Sequence, residues 1–458
     1  MRNVEANGEP LAGLSNPYLT GLHTPMQAEL TIEDLAVSGA IPPALDGRYL
    51  RMGPNPMTPN PAKYHWFSGD GMIHGIRIVG GRALWYRNRW IRSTAVSKAL
   101  GEERVDGPRH AFDTVNTNVV AFAGKTLGLV EAGSTPVEIG ATLETLHYTD
   151  FDGTLRGGFT AHPHVDPSTG EMHGTCYDVT HWSSIRYVVV TPDGRVRREL
   201  KIPVRHGPMV HDCAITGRFA IILDLPVTFS MRAAISGLTF PYRWRPSHLA
   251  RVGLLPREGE PEDIIWCPLD PCYVFHAVNA YDTADGTVVL DVVVHDQMFS
   301  RIKAGPDSRQ CALERWRIDP VQRSVQRITI DSTPQEFPRA DERRLGQPYR
   351  YAYTMAMTWP FLGEALFKHD LETSRRQTHD FGPGRRPCEF TFVPAHAQAG
   401  EDEGWLIGFV IDAAQKSTEL VILDACDFEG APLASVRIPH VVPPGFHGNW
   451  VRTRPPSL

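Results

Sequence analysis

Short β-branched and apolar runs turn back on themselves, one after another, along most of the 458 residues. Tyr187 to Val196 reads as two strands around a Pro-Asp-Gly turn. Asn118 to Val130 turns near Gly124. Arg315 to Ile330 turns after Asp319-Pro320, and Leu420 to Ile438 makes a further pair. Val288 to Val294 is one continuous apolar strand. The 40 glycines and 38 prolines are spread along the chain, as many turns between many short strands require. Helical periodicity is sparse: Thr31 to Val37 is expected to be a short capped helix, and Phe229 to Leu254 a broken, partly helical insertion interrupted by Gly237 and Pro241. Hairpins without alternating helices predict an all-β fold and favour a β-propeller over a doubly wound sheet. No internal repeat counts the blades. No linker divides residues 1–458, so the expectation is one domain with a cap insertion at about 227–254.

Several function classes have nothing to rest on. The net charge is -6 and no basic block suggests nucleic acid. There is no GxSxG elbow, P-loop or dinucleotide fingerprint. The N-terminal 30 residues lack a charged start followed by an apolar core, and no apolar stretch approaches about 20 residues, so a cytoplasmic protein is expected. Seven irregularly spaced cysteines read as reduced, packed thiols. No obligate protein partner is evident, and arginine-rich, lysine-poor usage hints at a bacterial source.

Of the 19 histidines, four stand in unusual settings. His162 lies in Phe159-Thr-Ala-His-Pro-His-Val-Asp-Pro167 and His211 in Gly207-Pro-Met-Val-His-Asp-Cys-Ala-Ile-Thr216. His276 lies in Cys272-Tyr-Val-Phe-His-Ala-Val-Asn279 and His447 in Val442-Pro-Pro-Gly-Phe-His-Gly-Asn-Trp450. Separations of 49, 65 and 171 residues exclude a zinc finger or an HExxH helix. They suit one residue from each of several blades meeting on an axis. By itself the spacing does not distinguish four ligands from four buried, hydrogen-bonded histidines. His164 and Asp166 imitate part of a facial triad, but Asp166-Pro-Ser-Thr-Gly170 is a good turn and His164 reads as structural. His65, His74, His173 and His440 also read as structural, and Asp70 as a turn residue.

At these histidines the chain resembles the carotenoid cleavage oxygenase family, which includes apocarotenoid and lignostilbene dioxygenases and a retinoid isomerase. The resemblance covers nearly the whole chain. It is carried by Asn16-Pro-Tyr18, Arg51-Met-Gly-Pro-Asn-Pro56 and Tyr64-His-Trp-Phe-Ser-Gly-Asp-Gly-Met-Ile-His-Gly75. It continues through Asn116-Thr-Asn-Val-Val120, Ala161-His-Pro163, Glu336-Phe-Pro-Arg339 and the closing Pro-Pro-Gly-Phe-His-Gly. The resemblance implies a seven-bladed propeller capped on one face by loops and short helices. It implies Fe(2+) on the axis, held by His162, His211, His276 and His447, with Glu131, Glu336 and Glu389 orienting three of them and Thr117 beside the vacant iron position. Four neutral imidazoles suit Fe(2+), and carboxylates accepting the other ring N–H fix the tautomer and offset the metal charge.

The implied reaction is O₂-dependent cleavage of an alkene to two carbonyl products. In the stilbene branch of the family a lysine precedes the first glutamate and contacts the phenol. Here that position is Val130, which would leave a phenolate without a buried partner and suits a polyene. The expected substrate is a carotenoid or apocarotenoid. Stilbene or phenylpropene cleavage is the alternative, and an iron-dependent isomerase or polyene-binding protein is the alternative of another class. The insertion offers Phe229, Met231, Ile235, Leu238, Phe240, Tyr242 and Trp244, with Arg232, Arg243 and Arg245, for peripheral membrane contact.

Overall fold

The computed structural model describes residues 16–110, 112–301, 304–358 and 360–453. The first half of the N-terminal segment examined for a leader, residues 1–15, lies outside them. Seven four- or five-stranded antiparallel sheets are arranged as a seven-bladed β-propeller. Blades one to six each begin on an inner strand: Asn118–Phe122, His164–Val165, Cys213–Ile215, Tyr273–Asp282, Gln335–Arg339 and Arg385–Pro394. The seventh closes the ring. Its inner strand is the C-terminal Gly448–Arg452, which pairs with Gly47–Pro54, followed by Gly71–Val79, Arg82–Trp90 and Thr31–Glu33. The expected hairpins form, and Val288–His295 is buried along its whole length between two partner strands.

Two expectations on helices need correction. Thr31 to Val37 is not a helix: Thr31–Glu33 pairs with Arg82–Trp90, and Val37–Gly39 pairs with Ala434–Ile438. Each covers the outer edge of a different blade, where an unpaired strand would otherwise expose its N–H and C=O groups. The insertion holds only a five-residue helix, Met231–Ile235, and a two-stranded sheet of Val227–Phe229 with Tyr242–Trp244. It ends before Arg251, because Arg251–Pro256 is the third strand of blade three. A helix at Thr94–Leu100 was not expected, although Ser93 caps its start and Gly101, left-handed, ends it. Among the described residues no helix is long and apolar enough to cross a membrane.

The family-like motifs tie the cap side to the inner strands. Asn16 bonds the backbone of Tyr18, Pro61 and Tyr64, and Tyr18 stacks on Trp66. Asn116 donates to the carbonyls of Phe67 and Gly69, and Asn118 donates to Ala161 O, one residue before His162. Arg51, fully buried, donates to Pro443 O and so holds the loop that presents His447. At Gly71 a Cβ would lie 1.7 Å from Val115 O, so only glycine permits that close approach.

Candidate metal centre

His162, His211 and His447 lie one or two residues before the inner strands of blades two, three and seven, and His276 lies within that of blade four. All four are buried, and each offers a nitrogen within 4.8 Å of the others. His276 Nε2 is 3.3 Å from His211 Nε2 and 3.2 Å from His447 Nε2. The other nitrogen of each of these three rings faces a carboxylate. His211 Nδ1 is 2.8 Å from Glu131, His276 Nδ1 is 2.6 Å from Glu336, and His447 Nδ1 is 3.0 Å from Glu389. Nδ1 therefore carries the proton, and the Nε2 lone pairs of three blades converge. Lone pairs so close repel unless a cation lies between them, which is the chemistry of a metal site. Among the described residues His162 has no carboxylate of its own, and its buried Nε2 has no hydrogen-bond partner.

Glu131, Glu336 and Glu389 come from blades one, five and six, so the seven residues come one from each blade. At each glutamate the backbone departs from regular pleating. Ala132 after Glu131 and Phe337 after Glu336 are left-handed (φ 67° and 52°), and the ladder slips between Pro387 and Phe390 around Glu389. These kinks turn each carboxylate towards the axis at a cost of about 1–3 kcal/mol per left-handed residue. Burial alone would raise the Glu336 and Glu389 carboxyls. His276 and His295 hold Glu336 well below the usual range, and Arg339 and His447 hold Glu389 down. For His276, burial opposes protonation but Glu336 outweighs it, whereas burial leaves His162 and His447 below the ordinary histidine range.

His211, His276 and His447 open onto a cavity of about 580 Å³ under the cap. Trp66, Phe67, Val130, Phe275, Phe337 and Phe446 are among its lining residues. Thr117 also lines it, buried beside His447, whose N–H donates to Thr117 O.

Several residues named from sequence have other tasks. Asp166 caps its own turn through Ser168 and pairs with Arg257. His65, His74, His173 and His440 bond to local backbone or tyrosine hydroxyls away from the cluster, and Asp70 accepts from Met57 N. His164, Asp212 and Cys213 also bring three ligand atoms together, but Asp212 already accepts from His164 and two backbone N–H groups, and burial keeps the Cys213 thiol protonated. Sequence reasoning missed His295, which holds the second oxygen of Glu336 at 2.8 Å. It also missed Phe275, Phe337 and Phe446, each the sequence neighbour of a site residue, which was the available signal. All seven cysteines are unpaired, and only Cys426 is exposed.

The model of the retinal pigment epithelial membrane protein (RPE65) family matches residues 23–452. The chain belongs to this family, the carotenoid cleavage oxygenases. A carotenoid cleavage oxygenase of Mycobacterium tuberculosis is 40% identical over 96% of this chain and 98% of its own length. The lignostilbene dioxygenase of Pseudomonas brassicacearum superposes with a TM-score of 0.87 at 26% identity, covering 95% of this chain and 98% of that one. A cobalt-substituted Synechocystis ACO superposes at 0.84 and 26%, covering 94% and 97%. The carotenoid-oxygenase fold and its oxygenase class therefore extend to this chain, with a buried four-histidine site capable of holding a metal.

Proposed function

We propose that this carotenoid cleavage oxygenase is a non-haem iron(II) dioxygenase that cleaves one C=C bond of a carotenoid or apocarotenoid. The balance is R–CH=CH–R′ + O₂ → R–CHO + R′–CHO, or a ketone where the alkene carbon carries a methyl. The observation that carries this reading is the convergence of His162, His211, His276 and His447 at the edge of an aromatic cavity. Those four would hold Fe(2+), and bound iron supplies the activation of O₂. Glu131, Glu336 and Glu389 keep the Nδ1 proton on their histidines and offset the metal charge. Thr117 would narrow the space beside His447 on the cavity side. Trp66, Phe67, Phe275, Phe337 and Phe446 would stack along a polyene and exclude water. Val130 adds an apolar wall where a phenolate would need a partner.

Cleavage of a phenolic stilbene is the second reading, favoured by the lignostilbene dioxygenase neighbour and by Tyr177 and Tyr242 in the cavity wall. The test is Fe(II)-reconstituted protein incubated in air with an apocarotenal or with 4-hydroxystilbene, with O₂ uptake and products followed by mass spectrometry. Shortened polyene aldehydes are expected. Benzaldehydes instead would establish the stilbene reading, and an isomerised polyene without O₂ uptake would overturn dioxygenase chemistry.

An apolar substrate has to arrive from a lipid phase. Phe112, which lines the cavity, is 65% exposed, and Ile235, beside the lining residue Ala234, is 80% exposed. Met231 and Arg232 are exposed next to them. Phe240 and Tyr242, also offered for lipid contact by the sequence, are buried in the cavity wall, and Arg243 and Arg245 bond within the cap. Peripheral membrane contact would therefore rest on Phe112, Met231 and Ile235. Flotation with liposomes is expected for the wild type and reduced for Ile235→Asp; equal flotation of both would remove this rim from the proposal.

A further inference from the structure

We propose that Asp212 is a positioning residue for the metal centre, a further carboxylate, itself buried, that sets the relative places of three of the four histidines. The inference rests on the metal reading above.

The blades are separate sheets with no backbone ladder between them. His162, His211 and His447 stand just before inner strands and His276 within one, so contacts outside the ladders fix the offset of one inner strand against the next; the backbone bond from His447 N to Thr117 O is one, between blades seven and one. Glu131, Glu336 and Glu389 each tie one histidine of the cluster to one other blade, and among the described residues none reaches His162. Asp212 acts across blades. Its Oδ1 accepts from His164 Nε2 of blade two at 2.8 Å and from Cys213 N of blade three at 2.7 Å. Its Oδ2 accepts from Ala277 N of blade four at 2.9 Å. Each anchor is one or two residues from a histidine of the cluster: His164 from His162, Asp212 itself from His211, and Ala277 from His276. At about 3.3 Å of rise per extended residue, an anchor that close leaves a ligand little room to drift.

The side-chain type matches the task. Three N–H donors meet at one point, and a carboxylate is the acceptor-only group with enough lone pairs to serve them all. Asparagine has the same shape but turns an NH₂ towards one of the donors. The ladder slip between Val274 and Ala277 marks irregular pairing where the Ala277 N–H turns to Asp212. Asp212 is 4% exposed, and its partner His164 lies at the wall of a second cavity that also touches His162, His276 and His447.

The test compares full-length wild type, Asp212→Asn and His164→Ala loaded with Co(II). Metal affinity comes from competition titration, and site geometry from the visible ligand-field absorption at saturating Co(II). A residue that supports only folding would lower the melting temperature of the metal-free protein and leave the saturated spectrum unchanged. Positioning predicts a changed spectrum and roughly 10- to 100-fold weaker Co(II) binding for Asp212→Asn. For His164→Ala it predicts the low end, about 10-fold, because two of the three donors remain. Wild-type affinity and spectrum in a folded Asp212→Asn protein would overturn the proposal. Should that variant not fold, the same outcome in His164→Ala would overturn it. A wild type that takes no Co(II) would overturn the metal reading and this one with it, whereas a binding wild type with unchanged variants sinks only this one.

Discussion

Two cavities of about 580 Å³ meet at His276 and His447, and the second is lined by more charged and amide side chains than the first. The one under the cap is walled by Phe67, Phe275, Phe337, Phe446 and Val130. The other is walled by Asn118, His164, Asp212, Arg339, Arg343 and Asn449. The carboxylates divide likewise: Glu131 and Glu336 border the apolar cavity, and Glu389 borders the polar one beside Arg339. On the proposed function, a metal held by the four histidines would face the aromatic cavity and rest on hydrogen-bonded polar groups. The cap and loops supply Trp66, Phe67, Phe240 and Phe446 to the first cavity, and the inner strands supply Phe275 and Phe337 to it as well as most of the polar groups of the second.

The largest expected effect comes from placing a charge on the apolar side. A lysine at Val130 buries an ammonium at a cost of several kcal/mol, so Val130→Lys is expected to lower apocarotenal turnover about 100-fold and to raise any cleavage of 4-hydroxystilbene. The same change at Val165, in the polar wall, is expected to stay within about twofold, the scale of an ordinary partly exposed substitution. Steady-state kinetics on both variants checks this; equal losses would break the contrast between the two walls.

A smaller effect separates the carboxylates. Glu336→Gln keeps the shape but removes the charge that accepts from His276, His295 and Phe337 N. Iron affinity is expected to fall roughly 10- to 100-fold by competition titration. Glu389→Gln is expected to lose less, because Glu389 accepts from two N–H groups, those of His447 and Gly448, where Glu336 accepts from three, and Arg339 keeps Gly448 O and Asn449 as acceptors. A larger loss for Glu389→Gln would reverse that ranking.

The smallest effect on turnover concerns acid stability, which belongs to neither cavity. Burial, aided by the positive charge of Arg257, lowers His173 to about 3, and burial lowers His369 and His23 to about 4. In the unfolded chain each takes a proton near pH 6.5, which the native state refuses until about pH 3–4. Their stabilisation is complete above pH 6.5 and is lost as pH falls towards those lower values. Melting temperature of the metal-free protein is expected to drop steadily from pH 6.5 to 4, with a shallower drop in His369→Gln. A flat profile would show that these rings are already solvated.

Alternation, turn chemistry and the settings of the four histidines were legible in the chain because each is a local property. Pro-Asp-Gly makes its turn wherever Tyr187 to Val196 lies, and each of the four histidines lies within an inner strand or one or two residues before it. Thr31 to Val37 was misread because a short edge strand takes its conformation from the partner it covers, which lies more than 50 residues away in one case and about 400 in the other. The aim of Glu131, Glu336 and Glu389 depends on backbone kinks beside them, and the ring depends on Gly448–Arg452 pairing with Gly47–Pro54. By itself, then, the sequence determined the strands, the turns and which imidazoles were available. Only the tertiary structure decided that seven residues from seven blades meet on one axis and that Asp212 joins three of those blades, because contacts between separate sheets depend on how far the whole ring turns before it closes.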